Sequence, residues 1–244
     1  MRCAIIADVH ANLAAFTAVL DDIESKGVVE EVWCLGDVVG YGPDPHQCIE
    51  LLRQYNHVCV AGNHDWAAIG KIDTYDFNPD AAAACHWTMQ QLSPKDVKYL
   101  ENLPLTIEKG DFVLVHGSPR EPIWEYLLSI SSARENFAYF QTQFCLVGHS
   151  HVPLVFRYSK TGDCSFSQFL TNIGLALGED RLIINPGGVG QPRDGDPQAS
   201  YAIYDSDARV IRLYRVPYDI RATQAKMVEY GLPMRLVARL SYGM

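Results

Sequence analysis

The 244-residue sequence has no CxxC pair, no run of more than two Lys or Arg residues, and no apolar stretch approaching the about 20 residues that span a bilayer. Each absence excludes something. Without cationic runs, and with a net charge of −9, tight sequence-independent binding to long nucleic acid is not expected, because neutralising phosphates needs clustered cations. Without a long apolar run there is no expected membrane span. The seven cysteines (Cys3, Cys34, Cys48, Cys59, Cys85, Cys145 and Cys164) are odd in number and scattered. They read as free thiols in a reducing compartment, and Cys3, Cys34 and Cys59 lie in apolar runs that suit small buried side chains. The opening MRCAIIADVH reaches an Asp too early for a signal peptide. A cytoplasmic location is expected. No repeat, low-complexity segment or Pro/Gly/Ser linker divides the chain, so 1–244 reads as one domain, long enough to bury its core without disulfides.

What is present alternates. Apolar runs at 3–7, 31–35 and 57–61 predict short buried strands. Between them, Leu13, Phe16, Val19, Leu20 and Ile23 recur at helical spacing, capped by Asn12 and ended by Gly27, and a second helix is predicted around 45–54. That alternation argues for a parallel α/β sheet. Residues 78–100 read as two helices, opened at Pro79 and at Ser93-Pro94. The second half is strand-rich, with a hairpin at 104–108 and 111–115 and further strands at 144–147, 152–158, 164–170, 181–184, 200–204 and 209–215. A helix over 218–230 follows. Two sheets packed face to face with helices outside are expected. Leu232, Leu236, Val237 and Leu240 suit packing of the last segment on the domain or on a second subunit.

Short strands here end in Asp, Asn and His. Asp8-Val9-His10 follows the first, Gly36-Asp37 the second and Gly62-Asn63-His64-Asp65 the third. His116-Gly117 follows FVLV, and Gly148-His149-Ser150-His151 follows CLV. Sites in α/β proteins lie beyond the carboxyl ends of the strands, so five clusters distant in sequence converge on one edge. Asp8 and His10, like His149 and His151, are two apart and face one way on an extended chain. Imidazole and carboxylate without thiolate is the donor set of Mn, Fe and Zn sites. Asp8, His10, Asp37, Asn63, His116, His149 and His151 exceed the needs of one tetrahedral ion and suit two ions sharing a carboxylate. His46, His57 and His86 lack this context and read as structural. Asn185-Pro186-Gly187-Gly188-Val189-Gly190 is Gly-rich, but no GxxxxGK[ST] is present. It reads as a tight turn beneath the ligands and not a P-loop.

Taken in order, these motifs resemble those of the calcineurin-like metallophosphoesterases. His116-Gly117-Ser118-Pro119-Arg120 and the segment from Asn185 through Asp196 resemble their small bacterial and archaeal phosphodiesterase branch. The resemblance implies a four-layer α/β-β/α sandwich of two mixed sheets flanked by helices. It implies a first divalent ion on Asp8, His10, Asp37 and His151. A second would sit on Asp37, Asn63, His116 and His149, with Mn favoured and Fe, Zn, Co or Ni possible. It makes His64 the general acid or a transition-state stabiliser, oriented by Asp65, with in-line attack by a metal-bridging hydroxide on a phosphodiester or nucleotide.

One position departs from a related pattern. Protein phosphatases of this kind carry an Arg in GDxxDRG, where this chain has Tyr41. Arg193 and Arg120 are candidates to supply the missing guanidinium, the natural bidentate partner of phosphate. Phe77, Trp124 and Tyr126 are candidates to stack on a base, and 66–100 to form a cap over the site. A phosphomonoesterase or phosphoprotein phosphatase is the second enzymatic expectation. A non-catalytic metal-binding scaffold is the third, disfavoured by the retained ligands. The expected partner is a small phosphorylated or nucleotide substrate, with an oligomer allowed.

Overall fold

The structure is a computed structural model describing all 244 residues. Two six-stranded sheets form its centre. In chain order the strands of the first half are β1 (Arg2–Ile6), β2 (Glu31–Cys34), β3 (His57–Cys59), β4 (Thr106–Lys109) and β5 (Phe112–Val115). Those of the second half are β6 (Phe144–Leu146), β7 (Pro153–Tyr158), β8 (Cys164–Gln168), β9 (Gly174–Ala176), β10 (Arg181–Pro186), β11 (Ala199–Asp205) and β12 (Val210–Val216). One sheet runs β3-β2-β1-β11-β12-β9 and the other β4-β5-β6-β10-β7-β8. Strands β1, β2 and β3 are mutually parallel, as are β5, β6 and β10, while β11, β12 and β9 in the first sheet and β4, β7 and β8 in the second join through antiparallel pairs.

Strand alternation builds the layers. Cys3 and Ile5 on β1, and Ala7 just past it, face the other sheet, packing with Trp33, Phe112, Phe144, Leu182 and Ile184. Ala4 and Ile6 face the opposite way, onto Phe16, Val19 and Ile23 of α1 (Leu13–Ser25) and Ile49 and Leu52 of α2 (Pro45–Leu52). The second sheet turns Val113, Cys145, Phe156 and Ile183 outward onto Phe137, Phe140 and Ala133, the last on α6 (Ile130–Asn136). Strands buried on both faces explain why these runs read as continuous apolar segments. The expected four-layer sandwich is what forms.

The remaining helices are α3 (Asn63–Ala67), α4 (Pro79–Gln91), α5 (Pro94–Glu101), α7 (Ile220–Glu229) and α8 (Met234–Arg239). Asn12, Asn78 and Ser93 cap α1, α4 and α5 through their side chains. Four elements escape the sequence reading: α3, α6, α8 and β9. Each is too short to show a period. Leu232, Leu236, Val237 and Leu240 pack on the domain itself, with Tyr41, Ala81, Ala84 and Met227. All seven cysteines are free and six are buried. No helix is long and apolar enough to cross a membrane.

Trp33 is 1% exposed and fills the space between the sheets against Phe112 and Tyr204. Trp33→Ala is expected to cost about 3–5 kcal/mol in urea unfolding, the range for a large aromatic removed from a close-packed core. A loss below about 1 kcal/mol would mean the inter-sheet layer collapses to fill the gap.

Candidate functional site

Strands β1, β2, β3, β5 and β6 deliver their ligands just past their carboxyl ends, and after β1, β2 and β6 the chain there is not extended. Asp8, His10, Ala11, Asp37, Tyr41, His149 and His151 all have positive φ, between 47° and 63°. They account for seven of the chain's nine non-glycine residues of this kind. The expectation that Asp8/His10 and His149/His151 share a face through strand alternation is therefore corrected. Left-handed turns, held by backbone bonds such as His10 N–H to Asp37 O at 2.9 Å, fold each pair inward. Such backbone costs about 1 kcal/mol per residue and concentrates at functional sites. The glycines allow the close approach: a Cβ on Gly190 would lie 1.9 Å from the Val9 carbonyl oxygen. That fits the tight turn read beneath the ligands.

Four imidazoles share one arrangement. His10 Nδ1 donates to Val39 O at 3.1 Å, His116 Nδ1 to Leu35 O at 2.8 Å and His151 Nδ1 to Gln191 O at 2.5 Å; His149 Nε2 donates to Trp124 O at 3.2 Å. A carbonyl only accepts, so each of these nitrogens carries the proton and the other keeps a lone pair. Those lone pairs converge. His10 Nε2 and His151 Nε2 are 3.1 Å apart, as are His116 Nε2 and His149 Nδ1. Asn63 Oδ1 lies 3.1 Å from His116 Nε2.

Two buried carboxylates join them. Asp8 accepts the His149 N–H at 3.1 Å and lies 3.3 Å from His151 Nε2. Asp37 Oδ1 accepts the His64 N–H at 2.9 Å, while Oδ2 has no hydrogen-bond partner. That free oxygen is 3.6 Å from His10 Nε2 and 3.3 Å from His116 Nε2, between the two histidine pairs. Burial raises Asp8 to about 7 and drives His10, His149 and His151 far below the usual imidazole range. Burial opposes the charge on His116 too, but Asp37 lifts it to about 9. One proton there satisfies the His116 side but leaves the His10 and His151 lone pairs opposed. A divalent cation meets both the unpaired carboxylate oxygen and the opposed lone pairs, so the donors present fit a metal.

The other expected residues divide. His64, Tyr41 and Arg193 line a cavity of about 120 Å³ beside Asp37, Asn63, His149 and His151. The His64 ring lies against Gly40, where a Cβ would come within 2.5 Å of Nδ1, and that nitrogen has no hydrogen-bond partner. Burial lowers His64 to about 4. Asp65 does not touch that ring. Its carboxylate accepts the backbone N–H groups of Asp37, Gly62 and Val39 at 2.8, 3.0 and 3.1 Å, clamping the second and third ligand loops together. Arg120 is turned away from the cavity and ion-paired with Glu125 and Glu135. Its carboxylate partners satisfy it, so it has no free face for phosphate. Phe77, Trp124 and Tyr126 all reach the cavity wall, with Asp76, Asn78 and Ala81.

Against known proteins, residues 1–209 match the model of the calcineurin-like phosphoesterase superfamily domain. The chain belongs to this superfamily. A crystal structure of a metallophosphoesterase from Sphaerobacter thermophilus superposes at TM-score 0.90 with 48% identity, covering 100% of this chain and 99% of that one. An uncharacterized protein of Methanocaldococcus jannaschii is 42% identical over 98% of this chain and 97% of its own length. A symmetrical bis(5'-nucleosyl)-tetraphosphatase of Haemophilus ducreyi is 26% identical over 55% of this chain, which spans about half, 51%, of that relative.

As a calcineurin-like phosphoesterase the chain is a metal-dependent phosphohydrolase, and its buried His/Asp groups suit divalent metals. Three histidines lie outside the centre: His46 pairs with Asp96, His57 bridges Tyr55 O and Tyr99 Oη, and His86 approaches Thr74. Sequence reasoning missed Asn185 as an individual residue. Its amide donates to Gly148 O at 2.6 Å and Ser150 Oγ at 3.0 Å, holding the His149–His151 turn from behind. The Asn-Pro-Gly-Gly run around it was the available signal.

Removing the Asp65 clamp strands three buried N–H donors. Asp65→Ala is expected to lose about 3 kcal/mol or more in urea unfolding and most bound metal by elemental analysis. Unchanged stability with lost turnover would instead return Asp65 to the role of orienting His64.

Proposed function

We propose that this phosphoesterase cleaves phosphodiester or nucleotide substrates at a centre of two divalent ions, with Mn the first metal to test. The free Asp37 Oδ2, within 3.6 Å of a histidine of each pair, carries this reading. Asp8, His10, Asp37 and His151 would hold one ion, and Asp37, Asn63, His116 and His149 the other. Bound there, the ions would acidify water and draw charge from phosphoryl oxygens. The protein's own residues do the rest. Asp37 is pinned by the His64 N–H, so its second oxygen is presented without rotation. Water forms the new bond to phosphorus, the bond to the leaving oxygen breaks, and His64, whose lowered pKa a bound phosphate anion would raise again, is positioned in the cavity to hand that oxygen its proton. Arg193, at the cavity wall with Nε unpartnered, would take a non-bridging oxygen. Tyr41, its ring 4.3 Å from that of His64 and its hydroxyl 3.4 Å from Arg193 Nη2, would fix both.

The aromatic wall supports a nucleotide over a simple ester. Phe77 and Trp124 meet edge to face at 5.5 Å, and Tyr126 stacks on His149 at 3.9 Å. Residues 76–81 contribute to this wall from the 66–100 segment, which gives that segment its proposed role as a cap. Its base is rooted in the main core through Ala67, Ala68, Cys85 and Leu100. The relatives named as tetraphosphatases act on nucleotides by their names, which agrees with the aromatic wall.

The deciding assay is Mn²⁺-dependent hydrolysis of bis-p-nitrophenyl phosphate beside p-nitrophenyl phosphate, with Asp37→Asn as control. Diester turnover abolished by Asp37→Asn, with metal content falling, is the expected result. Turnover of the monoester alone would make the protein a phosphomonoesterase. Bound metal without turnover of any phosphate ester would leave a scaffold. His64→Ala is expected to keep its metal but lose about 10²–10⁴-fold on esters with poor leaving groups. Equal activity on such an ester removes the proton-donor role. Trp124→Ala leaves the carbonyl that holds His149 in place, and is expected to raise KM for a nucleotide about tenfold if a base stacks there.

A further inference from the structure

Arg239 ends α8, far in sequence from every ligand loop, yet its guanidinium stands over Tyr41 with its carbon 4.8 Å from the ring centroid. Arg193 stands over the same ring at 5.8 Å. Both reach one neutral acceptor: Gln191 Oε1 takes a bond from Arg239 Nη2 and lies 3.4 Å from Arg193 Nη2. Neither guanidinium has a carboxylate partner, and both Nε–H groups are buried without one. Five other arginines, Arg2, Arg53, Arg120, Arg157 and Arg215, have carboxylate partners, and the part-buried Arg181 is satisfied by the Phe137, Phe140 and Thr142 carbonyls. In a chain with 29 acidic residues and 20 Lys and Arg, two adjacent half-buried cations sharing an amide oxygen are an unbalanced charge. Like charges desolvated side by side are unfavourable unless an anion joins them.

The place of that anion follows from Arg193, which lines the cavity with Asp37, His64 and His151. An anion between the guanidiniums would sit next to a phosphate held at the metal centre. A simple diester has only one charged phosphate, which the centre takes with the Arg193 Nε–H, leaving the Nη groups of Arg193 and Arg239, which meet at Gln191 Oε1, for another. We propose that Arg193 and Arg239 form a seat for a second phosphate of the substrate, with Arg239 the specificity-determining residue, so that the preferred substrates carry a phosphoanhydride chain. This rests on the phosphoesterase centre described above and adds to it the class of substrate. Gln191 and Tyr41 keep the two forks apart, and α8 is fixed by buried Leu236, Val237 and Leu240.

Calorimetry on the metal-loaded protein with methylene-bridged ADP and with a phosphonate analogue of AMP reads the seat without turnover. The wild-type chain is expected to prefer the two-phosphate ligand about tenfold, the worth of a charge-assisted contact. Arg239→Gln is expected to bring that ratio close to one, with affinity for the one-phosphate analogue, hydrolysis of bis-p-nitrophenyl phosphate and melting temperature little changed. Arg239→Lys keeps charge but not the fork and is expected to fall between; it decides the matter if Arg239→Gln does not fold. An unchanged ratio in both variants, or equal weakening of both ligands, overturns the proposal and makes Arg239 a brace for Tyr41. Silence of the wild-type chain on bis-p-nitrophenyl phosphate would bring down the diester reading, while the ratio of affinities still judges the seat.

Discussion

Opposed lone pairs are the constraint around which this molecule is arranged. Four imidazoles and two carboxylates are buried side by side, and each imidazole donates one ring N–H to a backbone carbonyl. What is left repels. A cation turns that repulsion into attraction, so the arrangement that costs most without metal gains most with it. The carbonyls that hold the imidazoles come from Leu35, Val39, Trp124 and Gln191, on loops that follow different strands or precede them. Ligand direction is therefore a property of the whole upper edge and not of any one loop. Asp65 and Asn185 act in the same sense, one joining two loops and the other buttressing a third.

The sandwich beneath makes this affordable. Each sheet ends its parallel strands at the same edge, and the layer of Trp33, Phe112, Phe144 and Ile184 between them keeps the two sets of ligand loops in register. Rigid strands let the turns above adopt left-handed backbone at Asp8, His10, Asp37, His149 and His151 without relaxing. Strain sits where function needs direction, and ordinary packing offsets it elsewhere.

Much of this was legible in the residues. Cys3, Ile5 and Ala7 against Ala4 and Ile6 declare a strand buried on both faces, and five such runs ending in Asp, Asn or His declare a shared edge. The ligand set was readable because metals demand particular side chains at the ends of particular elements. Backbone conformation was not, because nothing in Asp8-Val9-His10 distinguishes an extended run from a left-handed turn. Asp65 was misassigned for a related reason: adjacency to His64 suggests contact, whereas a helical first turn sends neighbouring side chains apart. Arg120 and Arg193 looked alike in sequence, and only the positions of Glu125 and Glu135 separate them. Arg239 carried no signal at all, since a lone Arg near the end of a chain is ordinarily a surface residue. The short α3, α6, α8 and β9 escaped because five, seven, six and three residues are too few for a period to show.

The convergence of ligands on one edge leaves the opposite edge with little to do. β5 runs toward His116 and β7 runs away from His151, so the turns at Lys109-Gly110 and Thr161-Gly162 lie at the far end of the molecule. Gly110 has open space around it, and only the Tyr158 hydroxyl, at 3.8 Å, approaches the position of a Cβ on Gly162. These hairpin tips are natural handles. A fused reporter, an affinity tag or a covalent link to a solid support inserted there stands off the cavity by the full length of the strands, leaving the mouth open to solution when the protein is immobilised.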